Sequence, residues 1–363
     1  MPPGILEKTY LAEAFQPAIL KPSEGIIEWK CPSNIALVKY WGKKHDQLPV
    51  NPSMSVTLTK CSTSLRADYT MQPDAPFKLE FLFEGKPNPL FEDRIASYFR
   101  KLIPYFPIIN NLHIKLESSN SFPHSSGIAS SASFFGAMAL VVCSIQPSGG
   151  AHTPDFFRKA SFMARLGSGS ACRSVFGGLS VWGETSLVKE SSDEAALPLT
   201  DKSRFLAGFR DSVLIVSAGT KSVSSSHGHE LMKNHPFREA RMGQSRQNLD
   251  RILRALNSGD MNDFLDVTET EALTLHALMM TSDPGYILIR PETLEIITRI
   301  REFRRRTGNA VGFTLDAGPN VHVLYPESSG EIVMQFIEKE LLDFCEGGKV
   351  IHDVAGAGPV KIS

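Results

Sequence analysis

The sequence has no paired cysteines: Cys31, Cys61, Cys143, Cys172 and Cys345 stand singly, with no Cys-x-x-Cys element, in a chain of 363 residues. A chain of that length buries enough apolar surface to do without disulfide staples, so a disulfide framework is excluded and a reducing cytoplasm is the expected location. An excess of one charge is also lacking, with 38 Lys and Arg against 39 Asp and Glu. No overall field draws in nucleic acid or an anionic membrane, and any anion site has to be built locally. Long apolar runs are missing as well. The longest, at residues 134–145, is too short to span a bilayer, and the first 25 residues lack a basic start leading into an apolar core. Membrane insertion and secretion are therefore not expected. Finally, Gly-x-x-x-x-Gly-Lys-Ser/Thr occurs nowhere, which excludes a P-loop enzyme.

What is present is a mixture of strand and helix signals. Residues 1–26 read as a partly ordered arm broken by Pro17, Pro22 and Gly25. IIEWKCPSNIALVKYWGK reads as two β-rich runs separated by a Cys-Pro-Ser-Asn turn, and NPSMSVTLTKCSTSLRADYT continues the β-branched alternation. FEDRIASYFRKLIPYF has helical spacing, NNLHIKLESSN alternates as a strand, and SSGIASSASFFGAMALVVCSI reads as a glycine turn feeding a buried helix. TPDFFRKASFMARLG is expected to be a loop, and the polar stretch 185–203 a loop or a seam. Then come a strand (DSVLIVSA), long helical patterns, and two strand–turn–strand segments, AVGFTLDAGPNVHVLYP and GKVIHDVAGAGPVKI. With no regular βαβ repeat, the pattern predicts an α+β architecture of two lobes, residues 27–190 and 191–363.

Four segments carry chemistry. Pro123 to Ala132 (PHSSGIASSA) runs straight into an apolar helix. Glycine permits close backbone approach and the helix-terminal N–H groups favour phosphate, although a serine-capped core helix has the same composition. Around an aromatic pair, Asn34 to Lys43 (NIALVKYWGK) sets Lys39 and Lys43 four residues apart; two compact cations and the Tyr40 hydroxyl suit a phosphate or diphosphate, or are simply solvated. Gly167 to Arg173 (GSGSACR) packs small residues around one guanidinium able to hold a carboxylate by two parallel hydrogen bonds. Leu315 to Asn320 (LDAGPN) is a β-turn by composition, and a turn can also present Asp316 as a base. His227 and His229 form a His-x-His pattern without a third recognisable ligand and read as loop histidines, at most near phosphate; metal ligands are not assigned. Arg301, Arg304, Arg305 and Arg306 read as the solvated face of a helix.

Taken in their order along the chain, the four segments resemble diphosphomevalonate decarboxylases, a branch of the superfamily of galactokinase, homoserine kinase and mevalonate kinase. Asn-Ile-Ala-x-x-Lys-Tyr-Trp-Gly-Lys followed by LPVNPSMSVTL, and Gly-Ser-Gly-Ser-Ala-Cys-Arg-Ser, are similar to the decarboxylase motifs. Pro-x-x-x-Gly-x-x-Ser-Ser-Ala is similar to the phosphate motif of the whole superfamily. The resemblance implies a two-lobed GHMP-kinase-like fold, with an N-terminal lobe like ribosomal S5 domain 2 and a ferredoxin-like C-terminal lobe. It further implies ATP-dependent decarboxylation of mevalonate 5-diphosphate, with ATP and Mg2+, and a homodimer. Asp316, Arg173 and Lys39 are the implied catalytic residues, with Arg173 on the substrate's C1 carboxylate. Tyr40, Lys43, Ser168, Ser170 and Ser225 are implied around the substrate, and Asn120, Ser125, Gly127, Ser130 and Ser131 around the nucleotide. The Lys221-Ser222-Val223-Ser224-Ser225 segment is similar to one that approaches the diphosphate.

Departures from the pattern are Pro52 where Ser is common, Ser121 for a second Asn, and Ser226 where some bacterial relatives carry Arg. The alternatives are a decarboxylase of the 5-monophosphate, a plain small-molecule kinase, and an inactive binding or regulatory protein. A kinase needs no carboxylate clamp such as Arg173, and an inactive relative is expected to have lost Asp316 or the nucleotide loop, both of which are present.

Overall fold

The computed structural model describes residues 4–14, 23–72, 75–122, 128–145, 153–219 and 223–363. Two sheets organise these residues. The first contains β1 (Ser23–Val38), β2 (Ser53–Met71), β3 (Lys78–Phe83), β4 (Lys86–Pro87), β5 (Leu112–Asn120), β6 (Leu179–Trp182), β7 (Leu197–Pro198) and the C-terminal β12 (Val360–Lys361). Its main path is β12-β1-β2-β5-β3-β4, with β6 on β2 and β7 on β6. The pairings are antiparallel except β3 with β5. The second sheet is antiparallel throughout, in the order β11-β8-β10-β9, from β8 (Arg210–Leu214), β9 (Gly312–Leu315), β10 (Val321–Tyr325) and β11 (Val350–Val354).

β1 corrects one expectation. It is one strand through Cys-Pro-Ser-Asn, with a register shift between Pro32 and Asn34. The extra residues are on the partner: β2 bulges out at Leu58 to Cys61 opposite Ser33, its N–H groups turning to the Asp353 carboxylate, while β1 runs straight on past a proline that has no N–H to donate. The N-terminal arm contains a helix, α1 (Ile5–Ala14), whose first turn donates Leu6 N–H and Glu7 N–H to the Glu194 carboxylate, each at 2.9 Å.

Helices α2 (Pro89–Leu102), α3 (Ser130–Ile145) and α5 (Ala171–Ser174) pack on the first sheet, and α4 (Pro154–Gly167) packs chiefly on α3 and α5. Every residue of α3 from Ala132 to Cys143 is buried, as its apolar composition demands. α4 stands where a loop was expected. Its start is specified locally: Thr153 Oγ1 accepts from Phe156 N–H at 3.2 Å and Pro154 occupies the first turn.

Between the sheets, Ile35, Leu37, Val56 and Leu58 form a common core with Val213, Leu249, Ile252 and Phe264. The helices of the second half are α6 (Ser225–Leu231), α7 (Arg238–Ser258), α8 (Met261–Met280), α9 (Pro291–Thr307) and α10 (Gly330–Phe336). On α9 the arginines are not all solvated: Arg301 and Arg304 donate to the buried Glu269 of α8 at 3.0 and 2.9 Å. A buried carboxylate has to be paired, and these two guanidinium groups do it. Arg305 is exposed and Arg306 meets Glu340 at the surface.

Candidate active site

A cleft of about 290 Å³ opens where β1 ends, lined by residues of the segments 34–47, 129–131, 167–173, 224–229 and 316–317, and by Arg94 and Leu275. Lys39 follows β1 directly and is buried. Its N–H donates to Glu271 Oε2 at 2.8 Å, while its carbonyl accepts from Asn51 Nδ2 and Arg241 Nη2, each at 3.0 Å. Glu271 and Arg241 make a buried two-pronged ion pair at 2.7 and 2.6 Å, and Asn248 donates to the same carboxylate at 2.6 Å. A charge pair from α7 and α8 thus fixes the Lys39 peptide.

The Lys39 ammonium, so placed, lies 3.1 Å from Asp316 Oδ1. Burial pushes the Lys39 pKa down, and the Asp316 carboxylate opposes that shift. The turn carrying Asp316 is itself anchored. Gly318 N–H donates to the Asp316 carbonyl at 2.7 Å, the buried His276 ring meets that carbonyl at 3.0 Å, and Thr293 Oγ1 donates to the Pro319 carbonyl at 2.7 Å. A carboxylate beside an ammonium, on a turn held at several points, can take a proton from a hydroxyl brought within hydrogen-bond reach.

Arg173, on α5, is equally buried but differently held. Its Nη1 donates to Ser53 Oγ at 2.7 Å, and its Nε to Ser55 Oγ at 3.0 Å and Asn34 Oδ1 at 3.4 Å. No carboxylate among the described residues forms an ion pair with it. Burial lowers its pKa, yet a guanidinium stays charged, so the cleft contains a desolvated cation whose nearest partners are neutral. The glycines before it are required by space: a Cβ on Gly169 would stand 2.8 Å from the Trp182 ring and 2.9 Å from Tyr40, and one on Gly167 2.2 Å from Phe135.

Of the other expected residues, Tyr40, Lys43, Ser131, Ser168, Ser170 and Ser225 all line the cleft. The Tyr40 hydroxyl donates to the Gln47 carbonyl at 3.1 Å, so its hydrogen is already used, and burial pushes its pKa up. Lys43 is partly buried, which lowers its pKa. Ser131 and Ser168 hydroxyls are 3.3 Å apart. Asn120 accepts from Thr63 Oγ1 at 2.8 Å and lies off the cleft lining, as does Ser130, the first residue of α3. Ser125 and Gly127, with the rest of 123–127, lie outside the described residues, as do Lys221 and Ser222. His227 and His229 are on α6 rather than in a loop, and His229 is buried between Tyr40 and Trp41. Among the described residues no three His, Cys, Asp or Glu side chains gather as a metal site.

Comparison with known proteins decides the family. The diphosphomevalonate decarboxylase-like N-terminal domain matches residues 31–193, and the mevalonate 5-diphosphate decarboxylase C-terminal domain matches residues 212–355. The diphosphomevalonate decarboxylase of Gibberella zeae is 30% identical over 322 residues, covering 84% of this chain and 81% of that one. This chain belongs to the diphosphomevalonate decarboxylase family. Its fold is that of the family's solved members. Mevalonate diphosphate decarboxylase from Staphylococcus aureus superposes with a TM-score of 0.80 at 27% identity, covering 94% of this chain and 99% of that one. A chain solved in complex with MVAPP, AMPPCP and magnesium gives 0.78 at 25% identity, covering 94% and 100%.

Within this family frame, several cleft residues had no signal in the sequence. Behind the cleft, Glu271, Arg241 and Asn248 read as ordinary polar positions on long helices, because the links of Glu271 and Arg241 to Lys39 span more than two hundred residues of chain and Asn248 acts through Glu271. Arg94 sits in a plain amphipathic helix, its guanidinium 5.0 Å from the Phe135 ring centre, and only the fold brings it to the cleft.

Proposed function

We propose that this chain converts mevalonate 5-diphosphate and ATP to isopentenyl diphosphate, ADP, phosphate and carbon dioxide. The observation that carries the proposal is the pairing of Lys39 with Asp316 in one cleft with Arg173, which forms no ion pair among the described residues. Membership of the family, and the similar chain solved in complex with MVAPP, AMPPCP and magnesium, support it.

The chemistry follows from those groups. Asp316 accepts the proton of the substrate's tertiary 3-hydroxyl, whose oxygen takes the terminal phosphoryl group of magnesium-bound ATP, leaving ADP. Lys39 fixes the Asp316 carboxylate and offsets the charge gathering beside it. The C1 carboxylate lies on Arg173 through two parallel hydrogen bonds. When the C1–C2 bond breaks, its electrons form the C2–C3 double bond, the C3–O bond breaks, and phosphate leaves with carbon dioxide. Lys43, Ser168, Ser170 and Ser225 serve the diphosphate end, and Tyr40 joins them when its hydroxyl turns from the Gln47 carbonyl to the substrate. Ser131, Ser130 and Asn120 serve the nucleotide together with Ser125 and Gly127, and Asn120 does so with its amide nitrogen because its oxygen is taken by Thr63. Magnesium enters with ATP as part of the substrate. The same proposal includes a lobe boundary near residue 190, a homodimer and a cytoplasmic location; among the described residues no helix is long and apolar enough to cross a membrane.

One observation favours a second reading. Ser226 lines the cleft where some bacterial relatives carry arginine, so one cation fewer faces the phosphate end, as a 5-monophosphate would need. A coupled assay that records ADP and carbon dioxide separately, with mevalonate, its 5-phosphate and its 5-diphosphate at equal concentration, tests both. Stoichiometric ADP and carbon dioxide with the highest kcat/KM on the 5-diphosphate is expected. ADP without carbon dioxide overturns the proposal in favour of a kinase, and preference for the monophosphate replaces the substrate.

A further inference from the structure

We propose that His229 is a substrate-contacting residue, a neutral imidazole whose Nε2–H donates to a phosphate oxygen of the substrate beside Lys43. The inference deepens the functional reading above and rests on it for the substrate's identity.

Geometry sets the tautomer. Gly42 N–H donates to His229 Nδ1 at 2.9 Å, and a ring nitrogen that accepts a hydrogen bond carries no proton. The proton of the neutral ring is therefore on Nε2. The ring cannot turn away, because it is held between Tyr40 and Trp41 with centroid distances of 4.3 and 4.7 Å. Its neighbour Gly228 admits no side chain, since a Cβ there would stand 2.4 Å from the Tyr286 hydroxyl and 2.6 Å from Trp41.

Position sets the ligand. His229 is 8% exposed, and that remaining surface lines the cleft together with Lys43, Ser224, Ser225 and Ser226. Nε2 has no hydrogen-bond partner among the described residues. The donor is left free at the cleft wall, and an anion entering the cleft is the partner that can accept from it. Lys43 lies close enough to act on the ring electrostatically, and burial with this neighbouring ammonium holds the His229 pKa down to about 3. A second cation beside Lys43 is thus disfavoured, whereas a neutral N–H is not. The lysine supplies charge and the imidazole supplies direction, on a wall where Ser226 supplies neither charge nor reach.

Two substitutions in the full chain separate the two ring nitrogens. His229→Asn places an amide oxygen near Nδ1 and keeps the Gly42 contact but does not reach the substrate. His229→Gln places an amide nitrogen near Nε2 and gives up the Gly42 contact. The expected result is a KM for mevalonate 5-diphosphate about tenfold higher in the Asn variant, the loss of one hydrogen bond to a charged group, with the KM for ATP within about twofold. The Gln variant is expected to keep that KM within about threefold at a lower Tm. Nitrogen NMR of labelled histidine is expected to show an Nε2–H tautomer that shifts with mevalonate 5-diphosphate and not with ATP alone. An unchanged KM in the Asn variant, an equal rise in the KM for ATP, or an Nδ1–H tautomer overturns the proposal. Wild-type turnover is the control: no turnover of mevalonate 5-diphosphate fails the functional reading, whereas an active wild type with an unaffected Asn variant fails only the role of His229.

Discussion

Lys39 and Arg173 are both 2% exposed and face the same cleft, but their surroundings differ in kind. The lysine meets a carboxylate at 3.1 Å, whereas the arginine meets two serine hydroxyls and one amide oxygen. Removing an ion from water costs several kcal/mol even after relaxation, and a partner of opposite charge recovers much of it. Lys39 therefore has a carboxylate at contact distance inside the protein, whereas Arg173 feels Asp316 only from further off and has its contact partner still to come. The first arrangement suits a cation that orients a base; the second suits one that recognises an anion on the substrate.

The sharpest way to break this contrast is Asp316→Asn, which takes from the Lys39 ammonium the one carboxylate it meets directly among the described residues and leaves only the more distant Glu271 to offset it. Turnover is expected to fall roughly 1,000-fold, about 4 kcal/mol, while ATP affinity measured by calorimetry stays near normal. Near-normal ADP release by this variant removes Asp316 from the mechanism. Glu271→Gln acts one step back, on the pair that holds the Lys39 peptide, and strands the buried Arg241. A stability loss of about 3 kcal/mol by urea unfolding is expected; a loss under about 1 kcal/mol shows the cluster to be slack. Arg173→Lys addresses the other cation. A point ammonium cannot reproduce two parallel hydrogen bonds, so kcat/KM is expected to fall about 30-fold, roughly 2 kcal/mol, with the fold intact. Unchanged carbon dioxide release and substrate affinity rule out the carboxylate clamp.

The same two residues mark what was legible in the sequence. Arg173 and Asp316 stand in short contiguous motifs whose residue types already suggest an anion clamp and a base, and the fold brings them into one cleft. That Lys39 reaches Asp316 was not legible. The contact closes 277 residues of chain, and in sequence Lys39 looked like a phosphate cation paired with Lys43. Helix α4 was misread for a related reason. Lys159 and Arg165 disrupt its apolar stripe, yet both are buried, Lys159 against Glu13 at 2.8 Å and Arg165 against the Glu194 carbonyl at 2.8 Å. The charges at those two positions interrupt the apolar spacing, although Thr153 and Pro154 at its start are a local helix signal. The strand break expected at Pro32 failed in the opposite sense, because β1 continues past the proline and the irregularity is taken up by the bulge at Leu58 to Cys61 of β2.

Lys43 extends the comparison to a third cation and has the smallest expected effect. It is only partly buried and forms no ion pair among the described residues, so water screens it more than Lys39 or Arg173. Burial still lowers its pKa, with the Glu230 carboxylate opposing, so it is a cation partly stripped of solvent at the cleft wall. A lysine that serves the terminal phosphate has a partner in mevalonate 5-diphosphate that the 5-monophosphate does not offer. Lys43→Ala is therefore expected to lower kcat/KM about tenfold for the diphosphate, roughly 1.4 kcal/mol, and about threefold for the monophosphate. The ratio of the two losses is the measurement, because a general disturbance of the cleft lowers both alike. Equal losses place Lys43 on atoms the two substrates share, and the recognition of the second phosphate then falls to His229 and the serines of α6.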